Sequence, residues 1–198
     1  SKINTLTFST IETKNTQILS VGELQKAACC NLSESFNTNS TVDVVFTDAV
    51  GGGTRLGAIT IANANNVTAV GIRATSLAQT QGAGTSTFNG AIDTDGVTGV
   101  NVNANAIALN DTITTTNAGT VDLVASTNLD IAAAGDITAD GAVNLTGVAG
   151  INTAGDVTTT GDVVNYNSAT TLTGDIAVDS DGGNINFVTT VDGGQNLT

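Results

Sequence analysis

A short string recurs through the last third of the chain. Gly135-Asp136-Ile137, Gly155-Asp156-Val157, Gly161-Asp162-Val163 and Gly174-Asp175-Ile176 share the form Gly-Asp-[Ile/Val], and Gly183-Asn184-Ile185 is a looser copy. Gly135 and Gly155 are 20 residues apart, and Gly155 and Gly174 are 19 apart. A period near 20, with short β runs between the copies, points to a solenoid. Each coil of such a fold supplies two or three short strands. Alternate side chains enter a narrow lumen that Val, Ile, Leu and Ala fill. Gly, Asn and Asp take the tight corners, which need turn or left-handed conformations. Outward Thr still suits a pleated surface. Pro is absent, as expected where every interior strand donates to a neighbour.

The alternation predicts which side chains point inward. They include Ile59, Ile61, Phe88, Ile92, Val121, Leu123, Leu129 and Ile131, then Val143, Leu145, Ile176, Val178, Ile185 and Phe187. A sandwich or barrel is the competing all-β reading. It calls for more than 3% aromatics, firmer hairpin turns and no 20-residue period. The expected fold is therefore mainly β, a parallel β-helix over residues 54–198. About seven coils stacked at about 4.8 Å give a rod roughly 35 Å long.

Composition removes several functions. The chain has no His and two Cys, so the common His/Cys zinc sites and any Ser-His-Asp or Cys-His unit are excluded. A formal charge of -13 opposes nucleic acid and anionic membranes as partners. The charge is uneven. Lys2, Lys14, Lys26, Arg55 and Arg73 are the only cations, and the thirteen acids after Arg73 are all Asp. No apolar run approaches the roughly 20 residues of a membrane helix.

The N-terminal part reads differently. Residues 3–11 and 16–19 look extended. Ser20 and Glu23 have capping-box spacing, and Val21, Leu24, Ala28, Leu32 and Phe36 recur at helical period. A helix is expected over 21–36, followed by a short strand carrying Val42, Val44 and Phe46. Adjacent Cys29 and Cys30 read as two free or buried thiols on that helix. Gly51-Gly52-Gly53 marks a flexible seam, which divides the chain into a small α/β end piece over residues 1–50 and the shaft. The chain starts at Ser1 and holds no Met, as in a processed protein or an excerpt.

Two resemblances add to this. Residues 22–36, with the string Ala27-Ala28-Cys29-Cys30-Asn31-Leu32-Ser33-Glu34-Ser35-Phe36, and the continuation through Val42-Asp43-Val44 and Phe46-Thr47-Asp48-Ala49-Val50, resemble the plug of Bacteroidetes-type TonB-dependent outer-membrane receptors. The likeness covers residues 11–50 and stops at Gly51; 198 residues cannot hold that family's barrel. Residues 54–198 resemble the shafts of filamentous-haemagglutinin-type and autotransporter-type surface proteins. The strings are Thr85-Ser86-Thr87-Phe88-Asn89-Gly90-Ala91-Ile92, Ile131-Ala132-Ala133-Ala134-Gly135-Asp136-Ile137 and Gly183-Asn184-Ile185-Asn186-Phe187 with Val191-Asp192-Gly193-Gly194-Gln195-Asn196-Leu197. That resemblance implies a right-handed parallel β-helix. A natural fusion, a recombined gene and an engineered chain all account for the join.

Site candidates are few. Asp179 and Asp181 lie one residue apart before Gly182-Gly183, and hard oxygen ligands suit Ca²⁺; a solvated acidic corner is the plainer reading. Asp93 and Asp95 before Gly96 are treated alike. No other cofactor is expected. Thr-x-Thr occurs at Thr85/Thr87, Thr114/Thr116, Thr158/Thr160 and Thr171/Thr173, at spacings that fit no single coil length, so these read as ordinary outward Thr. A β-helix enzyme acting on polysaccharides is disfavoured, because few aromatics and no cation follow Arg73.

The expected function is a non-enzymatic structural or adhesin-like module at a bacterial surface, extracellular or outer-membrane-associated, with a cell-surface or glycan partner left open. Asn196-Leu197-Thr198 shows no cap. The expectation is that the shaft continues in a longer parent, or that residues 3–11 of another copy add to it and build filaments end to end. The alternative function is a fragment of a TonB-dependent uptake receptor.

Overall fold

The fold was read from a computed structural model, which describes the backbone of residues 5–7, 16–19 and 33–37 and the chain from residue 42 to 198. Twenty-three strands occur among the described residues. The first are β1 (Thr5–Thr7), β2 (Thr16–Leu19), β3 (Ser33–Asn37) and β4 (Asp43–Phe46), followed by β5 (Leu56–Asn63), β6 (Val67–Ala69), β7 (Ile72–Gln79) and β8 (Thr85–Phe88). Regular three-strand coils follow. They are β9 (Ile92–Thr94), β10 (Val100–Ala104) and β11 (Ala106–Leu109), then β12 (Ile113–Thr115), β13 (Val121–Ala125) and β14 (Asn128–Ile131). Next come β15 (Ile137–Ala139), β16 (Val143–Gly147) and β17 (Gly150–Thr153), then β18 (Val157–Thr159), β19 (Val164–Tyr166) and β20 (Thr170–Leu172). The final three are β21 (Val178–Asp179), β22 (Ile185–Phe187) and β23 (Val191–Asp192).

Each strand pairs in parallel with its counterpart one coil away, and the whole is a right-handed parallel β-solenoid of about seven turns. The coil has three faces. The first runs β9-β12-β15-β18-β21, and the second runs β10-β13-β16-β19-β22. The two faces form one 14-stranded sheet because the eight-residue β7 pairs with β9 through Ile72–Ala74 and with β10 through Leu77–Gln79. The third face is the nine-stranded sheet β2-β4-β6-β8-β11-β14-β17-β20-β23.

One apolar cluster fills the lumen, from Val44 to Val178. Ile59, Ile61, Phe88, Ile92, Val121, Leu123, Leu129, Ile131, Val143, Leu145, Ile176 and Val178 are all buried, as the alternation requires. Ile185 and Phe187 depart from the expectation. Ile185 is 41% exposed and Phe187 is only partly covered; both belong to β22, which pairs with β19 alone among the described strands.

The helix expected over 21–36 is corrected at its end. Ser33–Asn37 is a strand held between β1 and β5, so its backbone groups are committed to the ladder rather than to a helical turn. Residues 21–32, with Cys29 and Cys30, lie outside the described residues. The extended readings at 5–7, 16–19 and 43–46 match strands, and Val44 and Phe46 are buried. Gly51–Gly53 lies within a coil. Val50 bridges Ile72 on one side, and Leu56 pairs with Ala74 on the other. Gly51 takes φ 74°, and a Cβ there would collide with the carbonyl of Arg73, so only Gly passes this close.

The repeat itself is less regular than its strings. Ile137 pairs with Val157, so the copies at Gly135 and Gly155 are in register. Val157 pairs with Val178, however, which places the Gly174 copy two residues out of register with the Gly155 copy. Cross-coil hydrogen bonds link residues 19, 20, 21 or 22 apart, according to position.

Candidate functional site: polar columns

Side chains that point outward line up in columns along the stack, one residue per coil. Arg73 pairs in register with Asp93, Asp93 with Thr114, Thr114 with Thr138, Thr138 with Thr158 and Thr158 with Asp179. At the head of this column the acidic corner Asp93/Asp95 is neutralised. Arg55 Nη2 donates to both carboxylate oxygens of Asp93 at 2.8 and 2.7 Å, and Nε lies 3.1 Å from Asp95. Arg55 also donates to the carbonyls of Ala74 and Asp93 at 2.9 and 2.7 Å, and Arg73 Nε reaches Asp93 at 3.3 Å. One planar cation thus ties three successive coils. Arg55 and Asp93 are 38 residues apart, two coils, so the pair could have been found in the sequence only after the coil length was known.

The Ca²⁺ candidates stand at the other end of the same column. Asp179 is exposed and its Oδ1 accepts the backbone N–H of Asp181 at 2.9 Å, closing a turn in which Asp181 adopts φ 44°. Among the described residues, no three Asp, Glu or Cys side chains gather in a group that could hold a metal.

On the second face the column runs Asn101, Asp122, Asn144, Asn165, Asn186. Asn186 Nδ2 donates to Asn165 Oδ1, and Asn165 Nδ2 to Asn144 Oδ1, both at 2.8 Å. Asp122 interrupts this amide ladder, and partial burial raises its pKa above the usual carboxylate value. At the corners, the Asp of the recurring string caps the next coil. Asp136 accepts the amide of Asp156, Asp156 that of Ala177, and Asp175 that of Asn196, at 2.9, 2.7 and 2.8 Å. Asp140 accepts from Ala118 N–H and the Thr160 hydroxyl; these bonds, and the two from Asn196 to Asp175, lower the pKa of each carboxyl.

A row of hydroxyls points inward, which the alternation of apolar residues concealed. Thr115, Thr159 and Ser180 occupy lumen positions. Each donates to a carbonyl of its own corner, to Gly119, Asp162 and Gly183 respectively. The expected outward Thr are outward throughout: Thr85, Thr87 and Thr114 are half-buried, and Thr116, Thr158, Thr160, Thr171 and Thr173 are exposed. On the third face Asn110, Asp130, Ala132, Asn152 and Thr173 line a shallow depression of about 370 Å³ above Ile131, with Asn152 donating to Asp130 at 2.7 Å.

Among the described residues, no helix is long and apolar enough to cross a membrane. No family model matches the chain, and neither a curated protein nor a solved structure matches it. The fold is that of parallel β-helix repeat proteins in general.

Proposed function

We propose that this chain is a structural shaft, a stiff non-enzymatic spacer of a bacterial surface protein. The observation that carries the reading is the continuity of the stack. One apolar cluster runs through its lumen from Val44 to Val178, while its outward polar groups pair along the axis, coil to coil. Such an arrangement uses its side chains to hold neighbouring coils rather than to converge on a substrate. Placement outside the cell is supported by the resemblance to haemagglutinin-type shafts.

The test is to excise one coil, residues 137–156, so that Val157 follows Asp136 in the register Ile137 held. A shaft loses about 4.8 Å of length in small-angle scattering and still unfolds cooperatively. Collapse of the fold, or release of reducing sugars from polysaccharide by the intact chain, overturns the reading. Protease shaving of intact cells tests the location.

A further inference from the structure

The third face dips midway along the stack, where a polar column loses its bulk. One residue beyond the paired strands, that column runs Asn89, Asn110, Ala132, Ala154, Thr173. The column beside it carries Asp130 and then Asn152 at the same two levels as the alanines. The depression of about 370 Å³ therefore lies over Ala132, with Asn110 and Thr173 at its ends and Asp130 and Asn152 along one side. Its volume falls within the roughly 300–1,000 Å³ of small-ligand sites. From Asn110 to Thr173 the stack advances three coils, about 14 Å at about 4.8 Å per coil.

The polar side chains around the dip satisfy one another only in part. Asn110 Nδ2 donates to Asn89 Oδ1 at 2.8 Å, and Asn152 Nδ2 donates to Asp130 Oδ1 at 2.7 Å. Among the described residues, Asn110 Oδ1, Asn152 Oδ1, Asp130 Oδ2 and the Thr173 hydroxyl have no protein partner. Each of the two carboxamides also keeps a second N–H. The rim thus offers acceptors and donors side by side, one level after another. A ligand with closely spaced hydroxyls answers that pattern, because each hydroxyl donates one bond and accepts others.

Charge and backbone narrow the class. Asp130 is the sole charged residue lining the dip, and no Lys or Arg follows Arg73, so acidic sugars are repelled. A peptide strand would need free backbone N–H and C=O groups. On this face both sides of β14 and β17 are already spent on the neighbouring coils. A single carboxylate also falls short of the pair that sugar hydrolysis uses, so the site holds its ligand without cleaving it.

We infer that this depression binds an uncharged linear oligosaccharide lying along the shaft, about one sugar to each coil between Asn110 and Thr173. In an extended 1,4-linked chain each ring advances by nearly one coil spacing, so successive rings meet successive levels of the rim. No aromatic ring lines the dip, so binding rests on the hydroxyls and is weak, in the millimolar range. The inference goes beyond the shaft reading, which describes a spacer with no ligand.

The experiment titrates the full isotope-labelled chain with cellotetraose, maltotetraose and mannotetraose, and with tetragalacturonate as the acidic counterpart. At least one neutral sugar is expected to shift the side-chain amide resonances of Asn110 and Asn152 saturably, with tetragalacturonate at least tenfold weaker. Ala132→Gln, which fills the dip, and Asp130→Ala should each weaken that sugar at least tenfold. Thr138→Gln, on the first face, should leave it unchanged. Melting curves accompany each variant, and if Ala132→Gln melts below the parent, Asp130→Ala decides. No saturable shift with any neutral sugar, equal binding of tetragalacturonate, or unchanged binding by a variant that melts like the parent overturns the inference. A rod-like scattering profile without sugar binding removes the site and keeps the shaft. Cleavage of the bound sugar keeps the site and removes the non-enzymatic shaft.

Discussion

Arg55 and Asp93 face each other across an intervening coil, with Arg55 Nη2 donating to both carboxylate oxygens at 2.7 and 2.8 Å. The residue between them in register is Arg73. Without Arg55, two cations would no longer balance Asp93 and Asp95, and the carbonyls of Ala74 and Asp93 would lose a donor. Arg55→Ala is expected to destabilise the chain by about 1.5–3 kcal/mol, the range for hydrogen bonds to charged groups. Arg55→Lys should not restore it, because one ammonium nitrogen cannot reach Asp93, Asp95 and the two carbonyls together, which three separate guanidinium nitrogens do. Urea titration of the three proteins checks this.

Asp122 stands where its column otherwise carries Asn. Its pKa is raised by burial, so the folded state binds this proton more tightly than the unfolded chain does. The group therefore supports folding in acid and penalises it once pH rises past the raised value. Asp122→Asn is expected to stabilise the chain at neutral pH by about 0.2–1 kcal/mol, the worth of a cross-strand pair, with the gain vanishing in acid. A melting series across pH from 3 to 8 measures it; an equal gain at both ends contradicts the assignment.

The inward and outward Thr give a sharper contrast. Thr158 is exposed and Thr159 is buried, its hydroxyl bonded to Asp162 O at 2.7 Å. The two neighbours thus point to opposite sides of the strand, Thr159 into the lumen. Thr159→Val should cost about 1 kcal/mol. Thr159→Asp and Ile176→Asp should unfold the neighbouring coils, because each carries a charge into a dry lumen. Thr158→Asp and the exposed Ile185→Asp should be tolerated. Circular dichroism melts of this set test the register directly.

Tyr166 is wholly buried and its hydroxyl has no partner. Burial, then the nearby Asp156 charge, raises its pKa well above the ordinary value of 10.0. The folded state keeps the proton and the unfolded chain releases it, so stability is whole below pH 10 and falls as pH climbs beyond it. Tyr166→Phe keeps the stack on Phe187 and removes the unsatisfied oxygen. It is expected to melt no lower than the parent at pH 7, and to lose less stability than the parent above pH 10.

The period-2 alternation and the Gly-Asp corners made the β-solenoid legible before any coordinates. A lumen two side chains wide forces that pattern on every strand, and Leu123, Leu145 and Ile151 obey it. Three things stayed hidden for physical reasons. A buried Thr whose hydroxyl bonds its own corner has the same letter as a surface Thr. The strand at Ser33–Asn37 follows helix-like spacing, because its conformation is set by pairing with β5 rather than by its own residues. The link from Arg55 to Asp93 spans two coils of uneven length, so no fixed repeat would align them.

The cross-coil hydrogen bonds run along the stack, and its first and last described strands, β1 and β23, lie at opposite ends of it. A pull on those two strands therefore meets the ladders one coil at a time, as a zip. Each coil of roughly 21 residues, once freed, adds about 70 Å of extended chain at about 3.4 Å per residue. Stretched between two anchors, the rod would lengthen in steps, each absorbing force before the next coil opens.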